Sequence, residues 1–255
     1  MSKALIRILA GLFFFMLVGA TATHTLLHQV PLNGFGSASF LFIAGGLVLL
    51  SAPVSDRARL LFIGVLGFVA EVIGVKFGWL FGRYTYTPVL APNVFDVPLA
   101  MACAWLVLIG YVRQMMAGLS ISVWAEILLG GMWMTTIDLL SEPLAAHPFN
   151  FWIWTDTGFY YGIPAHNYLG WFAVSCVILA LDKWIFKPSW NPNYWVEIVG
   201  VGIVVFCTIS ALIYGYLIAF GVGILLIAIH LWLTKRARLA VNALPRKIRS
   251  TRVTN

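Results

Sequence analysis

Charge is what this sequence has least of. Only nine of its 255 residues are Asp or Glu, and 10% are charged at all, against 61% that are hydrophobic. A soluble domain cannot hide that much apolar surface beneath so thin a polar coat, which excludes an ordinary soluble fold. Cysteine is scarce too. Cys103, Cys176 and Cys207 all fall within apolar stretches, with no CxxC spacing, and read as buried free thiols. Of the five histidines, only His24 and His28 have helical i, i+4 spacing, while His147, His166 and His230 are scattered. An oxygen-dependent membrane hydroxylase would need a cluster of imidazoles to hold iron, so no metal is expected and the pair reads as interfacial. A long polar segment is missing too. The expectation is one integral membrane domain over residues 1–234, followed by a basic tail, 235–255, too short to form a core.

What is present is a series of apolar runs, with a mean hydropathy of +0.93. About 20 residues at 1.5 Å rise cross roughly 30 Å of hydrocarbon. Runs of that kind occur at 4–22, 36–52, 60–81, 96–113, 120–140, 168–185, 195–213 and 215–234. The fold class is therefore all-α, a polytopic transmembrane bundle of about eight helices, with a seven-segment alternative if 195–234 is one broken helix. A cytoplasmic amino terminus places Lys3, Arg7, Arg57, Arg59, Arg113, Lys183, Lys187 and seven basic residues from Lys235 to Arg252 on the cytoplasmic side, 14 of the 16 Lys and Arg. That distribution satisfies the positive-inside rule with both termini inside, and points to a multi-pass protein of the inner membrane. Residues 1–22 also imitate a signal peptide ending at Ala20-Thr21-Ala22. Losing them would leave an odd number of spans, so they are read as the first helix. The formal charge of +7 resides in short loops and the tail, a pattern suited to anionic lipid and not to nucleic acid.

Against this background each acid inside a span is a functional candidate. Glu71 lies mid-span, followed by Gly74, Gly78 and Gly82 on nearly one helical face, a pattern that directs it into the bundle. A purely structural alternative has Glu71 bonding a neighbouring hydroxyl or Lys76. Asp138 and Glu142 share a face at i, i+4 near the outer end of the fifth span, and Asp96 opens the fourth span on the same side. Glu126 is deeper and on another face, and ranks lower. Residues 141–167 hold Phe149, Phe151, Trp152, Trp154, Phe159, Tyr160 and Tyr161 with no Lys or Arg. They read as an interfacial aromatic belt, or else as a lid. A neutral buried acid can protonate an alkene carbon, aromatic faces can steady the cation, and a second carboxylate can orient water. The same groups suit a proton-coupled transporter equally well.

Several stretches together resemble a known family: Glu71-Val-Ile-Gly74 and Phe81-Gly-Arg-Tyr-Thr-Tyr86, then Asp138-Leu-Leu-Ser-Glu-Pro143, then Trp152-Ile-Trp154, Tyr160-Tyr-Gly-Ile-Pro164 and Asn167-Tyr-Leu-Gly-Trp171. This ordered set, within residues 68–172, resembles the membrane hydratases of carotenoid biosynthesis, the gamma-carotene 1'-hydratase and bisanhydrobacterioruberin hydratase group. The resemblance implies cofactor-free addition of water to the terminal C1–C2 double bond of an acyclic ψ-end carotenoid, lycopene-like or bisanhydrobacterioruberin-like, giving a tertiary alcohol. It implies Asp138 and Glu71 as the acid/base pair; Glu142 and Asp96 remain further candidates on their positions in the spans alone. Tyr84, Trp154, Tyr160 and Trp171 would wall the chain end, and Asn167 would position water. Membrane lipid and other carotenoid enzymes are the expected partners. A transporter, a non-catalytic carotenoid-binding subunit and a cyclase of the same pathway are the alternatives.

Overall fold

The computed structural model describes residues 3–27, 35–117, 119–186 and 192–243. His28, Lys187 and the tail from 244 lie outside the described residues. Eight helices alternate in direction: α1 (Lys3–Leu27), α2 (Phe35–Ser51), α3 (Val54–Phe77), α4 (Ala100–Ala117), α5 (Val123–Ala146), α6 (Ala165–Ile185), α7 (Tyr194–Ile213) and α8 (Leu217–Ala243). Seven are long and apolar enough to cross a membrane, and α2 is a shorter apolar helix. The apolar run at 195–234 is two helices. After Ile213 the chain turns through Tyr214 and Gly215, the latter at φ +76°, and Tyr216 N–H closes onto Ala211 O at 2.8 Å. The start of α1 and the end of α8 therefore lie at one end of the bundle.

That end is charged. Arg59 Nε meets Asp182 Oδ1 at 2.6 Å, Arg113 lies 3.7 Å from Asp56, and Lys183 pairs with Glu126. Glu126 is thus held in an ion pair at this end, away from Glu71, Asp138 and Glu142. Glu71, Asp138 and Glu142 lie toward the opposite end, near the C-termini of α3 and α5.

Four short strands cap that opposite end. β1 (Tyr84–Tyr86) pairs antiparallel with β4 (Trp152–Trp154), with Tyr84 opposite Trp154 and Tyr86 opposite Trp152. β2 (Asn93–Val94) pairs with β3 (Val97–Pro98). Side chains alternate across a strand. Tyr84, Tyr86, Trp152 and Trp154 consequently share the inward face, while Thr85 and Ile153 are exposed. The aromatic-belt reading of 141–167 gives way here: part of the segment is helix, and Trp152 and Trp154 face the bundle interior.

Two expected helix boundaries are corrected. The third helix stops at Phe77, because Gly78 adopts the left-handed conformation at φ +66° and its N–H bonds Gly74 O at 2.9 Å. Gly82, at φ +101°, is off the helix, so the Gly74-Gly78-Gly82 face does not exist. The fourth helix begins at Ala100. Asp96 sits four residues earlier in the β2–β3 turn, where Phe95 and Asp96 both have positive φ, 53° and 66°.

Candidate active site

Glu71 is 3% exposed, and its carboxyl group accepts three hydrogen bonds. Tyr84 Oη donates to Oε2 at 2.5 Å, Tyr86 Oη to the same oxygen at 2.9 Å, and Trp105 Nε1 to Oε1 at 2.9 Å. Two of these donors come from one inward strand face and the third from α4. Lys76 is not among them. It is exposed, 5.1 Å from the Phe95 ring centroid. Burial first, and then the Glu71 charge, push the Tyr84 and Tyr86 phenols well above their ordinary range. Both hydroxyls therefore stay donors.

Glu142 receives the partner strand. Trp152 Nε1 and Trp154 Nε1 both donate to its Oε1, at 2.6 and 2.7 Å. Asp138, one helical turn earlier, accepts from Asn167 Nδ2 at 2.7 Å and is in hydrogen-bonding contact with the Glu142 carboxyl group. The two-stranded β1–β4 cap thus delivers four polar aromatic tips onto two carboxyl groups, two to each. Trp and Tyr suit the task because each buries a large ring and still presents a donor.

The aromatic rings also pack on one another. Trp105 and Trp171 stack at 4.4 Å between centroids, 11° from parallel, and Tyr84 lies 5.0 Å from Trp154. Gly67 makes the first stack possible, since a Cβ there would lie 2.1 Å from the Trp105 ring. Between the two carboxyl centres is a cleft lined by Glu71, Phe81, Tyr84, Tyr86, Glu142, Trp152, Trp154, Asn167 and Trp171, with free space for little more than one water-sized sphere.

Most of the residues expected from the sequence converge here. Glu71, Glu142, Tyr84, Trp154, Asn167 and Trp171 line the cleft. Asp138 stands one layer behind, reached through Asn167 and Glu142. Two expected residues are placed elsewhere. Asp96 is exposed in its turn. Tyr160 serves the backbone: Pro143 has no N–H to give to the carbonyl four residues back, and the Tyr160 hydroxyl bonds that carbonyl, Leu139 O, at 2.8 Å. Tyr86, Trp152 and Trp105 are functional neighbours not singled out as site residues. Tyr86 and Trp152 were legible as the second members of two x-aromatic alternations. A lone tryptophan in an apolar span signals Trp105 only through its need for an acceptor. Among the described residues no group of three or more His, Cys, Asp or Glu is arranged to hold a metal ion.

Comparison with known proteins gives the family of the chain. The chain is 30% identical over 137 residues to the bisanhydrobacterioruberin hydratase of Haloarcula japonica, a match covering 51% of this chain and 46% of that relative. The match thus spans about half the length of the curated relative. No solved structure matches the chain. A family model described as "Carotenoid biosynthesis protein" matches residues 36–230, from α2 into α8, and includes every cleft residue. This chain belongs to that carotenoid biosynthesis family.

Proposed function

We propose that this protein is a cofactor-independent membrane hydratase that adds water across the C1–C2 double bond of an acyclic ψ-end carotenoid, giving a tertiary alcohol. One arrangement carries the reading: Glu71 and Glu142 lining one aromatic-walled cleft, with Asp138 paired to Glu142 behind it. Two carboxyl groups in hydrogen-bonding contact cannot both be ionised, so the pair holds a proton. Glu142 is its member at the cleft and delivers that proton to C2. The tertiary cation forms at C1, the more substituted carbon, against the faces of Trp154, Trp171 and Tyr84. Glu71, which only accepts hydrogen bonds in this network, supplies the opposing negative charge and takes a proton from the water that attacks C1. Asn167 holds Asp138 in register.

A bilayer enzyme suits the substrate, since a long polyene is already dissolved in lipid and water alone must be brought in. The hydratase name of the relative supports the reaction class, and a lycopene-like or bisanhydrobacterioruberin-like chain is the substrate we assign. The membrane unit is residues 1–234, in the inner membrane, with both termini and the basic tail 235–255 on the cytoplasmic side. The cleft then opens toward the outer half of the bilayer, and neighbouring carotenoid enzymes are its partners.

Expression without oxygen in a bacterium that accumulates an acyclic ψ-end carotenoid tests this. The expected result is a tertiary alcohol by mass spectrometry, lost in Glu71→Gln and Asp138→Asn variants that still accumulate in the membrane. Unchanged pigment across several ψ-end substrates, with well-folded protein present, would overturn the proposal in favour of a transporter or a binding subunit.

A further inference from the structure

The reaction leaves the acid pair one proton short and Glu71 one proton richer at each turnover, while the polyene end, for which the cleft widens beyond its one-water space, occupies it. A supply from another side recharges the pair while the cleft is still occupied. Tyr168 stands at that side. Its hydroxyl oxygen is sequestered and has no hydrogen-bond partner among the described residues, although the residue as a whole is only half-buried. It follows Asn167, which bonds Asp138. Its ring meets Tyr160 edge-on at 5.8 Å, and Tyr160 is tied to Leu139 O, beside Asp138. The Tyr168 hydroxyl lies within electrostatic reach of both Asp138 and Glu142, and it is absent from the cleft lining. A buried hydroxyl left unbonded costs about 1–3 kcal/mol, so a group kept in that state invites a water molecule.

Resting on the hydratase reading, we propose that Tyr168 holds a water molecule against the rear of the Asp138–Glu142 pair and through it returns the proton spent on C2. The held water passes one of its protons to the ionised pair and takes up another from solvent, while the Tyr168 O–H stays intact, so Tyr168 ends each cycle unchanged. Glu71 releases its proton to water once the alcohol has left. Tyr168 acts through Asp138 and is a positioning residue, not a catalytic one.

Tyr168→Phe removes only the oxygen. In the full-length protein, solubilised and mixed rapidly with a ψ-end carotenoid in micelles, the variant starts with a loaded pair. The expected result is a first turnover at the wild-type rate, later turnovers slowed about 100-fold, the lower end of what a positioned proton-transfer group contributes, and recovery of the later rate with added imidazole. KM stays unchanged. Later turnovers at the wild-type rate, or first and later turnovers slowed alike with no response to imidazole, would overturn the proposal. The wild-type control separates the two readings: if it makes no tertiary alcohol, the hydratase assignment fails and this inference falls with it.

Discussion

Glu142→Gln separates the proton chemistry of the site from its architecture. The glutamine keeps a carbonyl oxygen where Trp152 and Trp154 donate, at 2.6 and 2.7 Å in the native protein. Its other terminal atom becomes an NH2 that donates to Asp138 and carries no acidic proton. The hydrogen-bond geometry survives and the shared proton does not. A general acid contributes about 10²–10⁴ in rate, so the variant loses roughly 2.7–5.4 kcal/mol of transition-state stabilisation with little change in thermal stability. Glu142→Ala differs. It leaves two buried indole N–H groups without an acceptor, at about 1–3 kcal/mol each, and lowers stability by roughly 2–6 kcal/mol as well as abolishing activity. Thermal denaturation of the solubilised proteins, followed by size-exclusion chromatography, measures the first quantity, and chromatographic yield of hydrated pigment measures the second. Glutamine activity above about a tenth of wild type would refute the acid assignment, and equal instability of the two variants would refute the acceptor role of Oε1.

Gly67→Ala should drive a methyl group into the Trp105 ring, 2.1 Å away. The expected cost is about 1–3 kcal/mol, with loss of hydration as the indole leaves Glu71, read in the same two assays. Asp96→Asn should change stability by no more than ~0.5 kcal/mol and leave pigment conversion intact, because the residue is exposed and Asn tolerates the left-handed turn. In an alkaline titration followed by tyrosinate absorbance, Tyr84 and Tyr86 should stay protonated well beyond the ordinary phenol range for as long as the protein is folded. Because their folded-state values are raised, the unfolded chain deprotonates first as pH passes about 10, and stability is lost above that point, not below it.

The helices were legible because an apolar run of bilayer length has few other uses, and the alternation of Tyr84-Thr-Tyr86 and Trp152-Ile-Trp154 is a strand period visible to the eye. Their pairing was not legible. The strands lie far apart in the chain, and the packing of α3 against α6 brings their two halves of the bundle together. Glu71, Asp138 and Glu142 stood out through the cost of an acid in hydrocarbon, and that reasoning leads to the cleft and to the pair beside it. It failed for Asp96, where Pro92 and Pro98 flank a tight turn and delay the start of α4. Tyr160 looked like a wall of the substrate chamber, but the missing N–H of Pro143 has prior claim on its hydroxyl. Trp105 escaped notice because hydropathy treats it as one more apolar residue, whereas its partner, Glu71, lies 34 positions earlier.

The central claim is that an acid of the protein protonates C2 and that water supplies the oxygen at C1. The most direct measurement is to supply the wild-type protein with a ψ-end carotenoid in heavy water that carries the heavy oxygen isotope, with dioxygen excluded, and to locate the labels by mass spectrometry and NMR. The account predicts a single deuterium at C2 and a single heavy oxygen at C1 for each hydrated end. An alcohol oxygen that does not come from water, or a hydrated end without deuterium at C2, would contradict it.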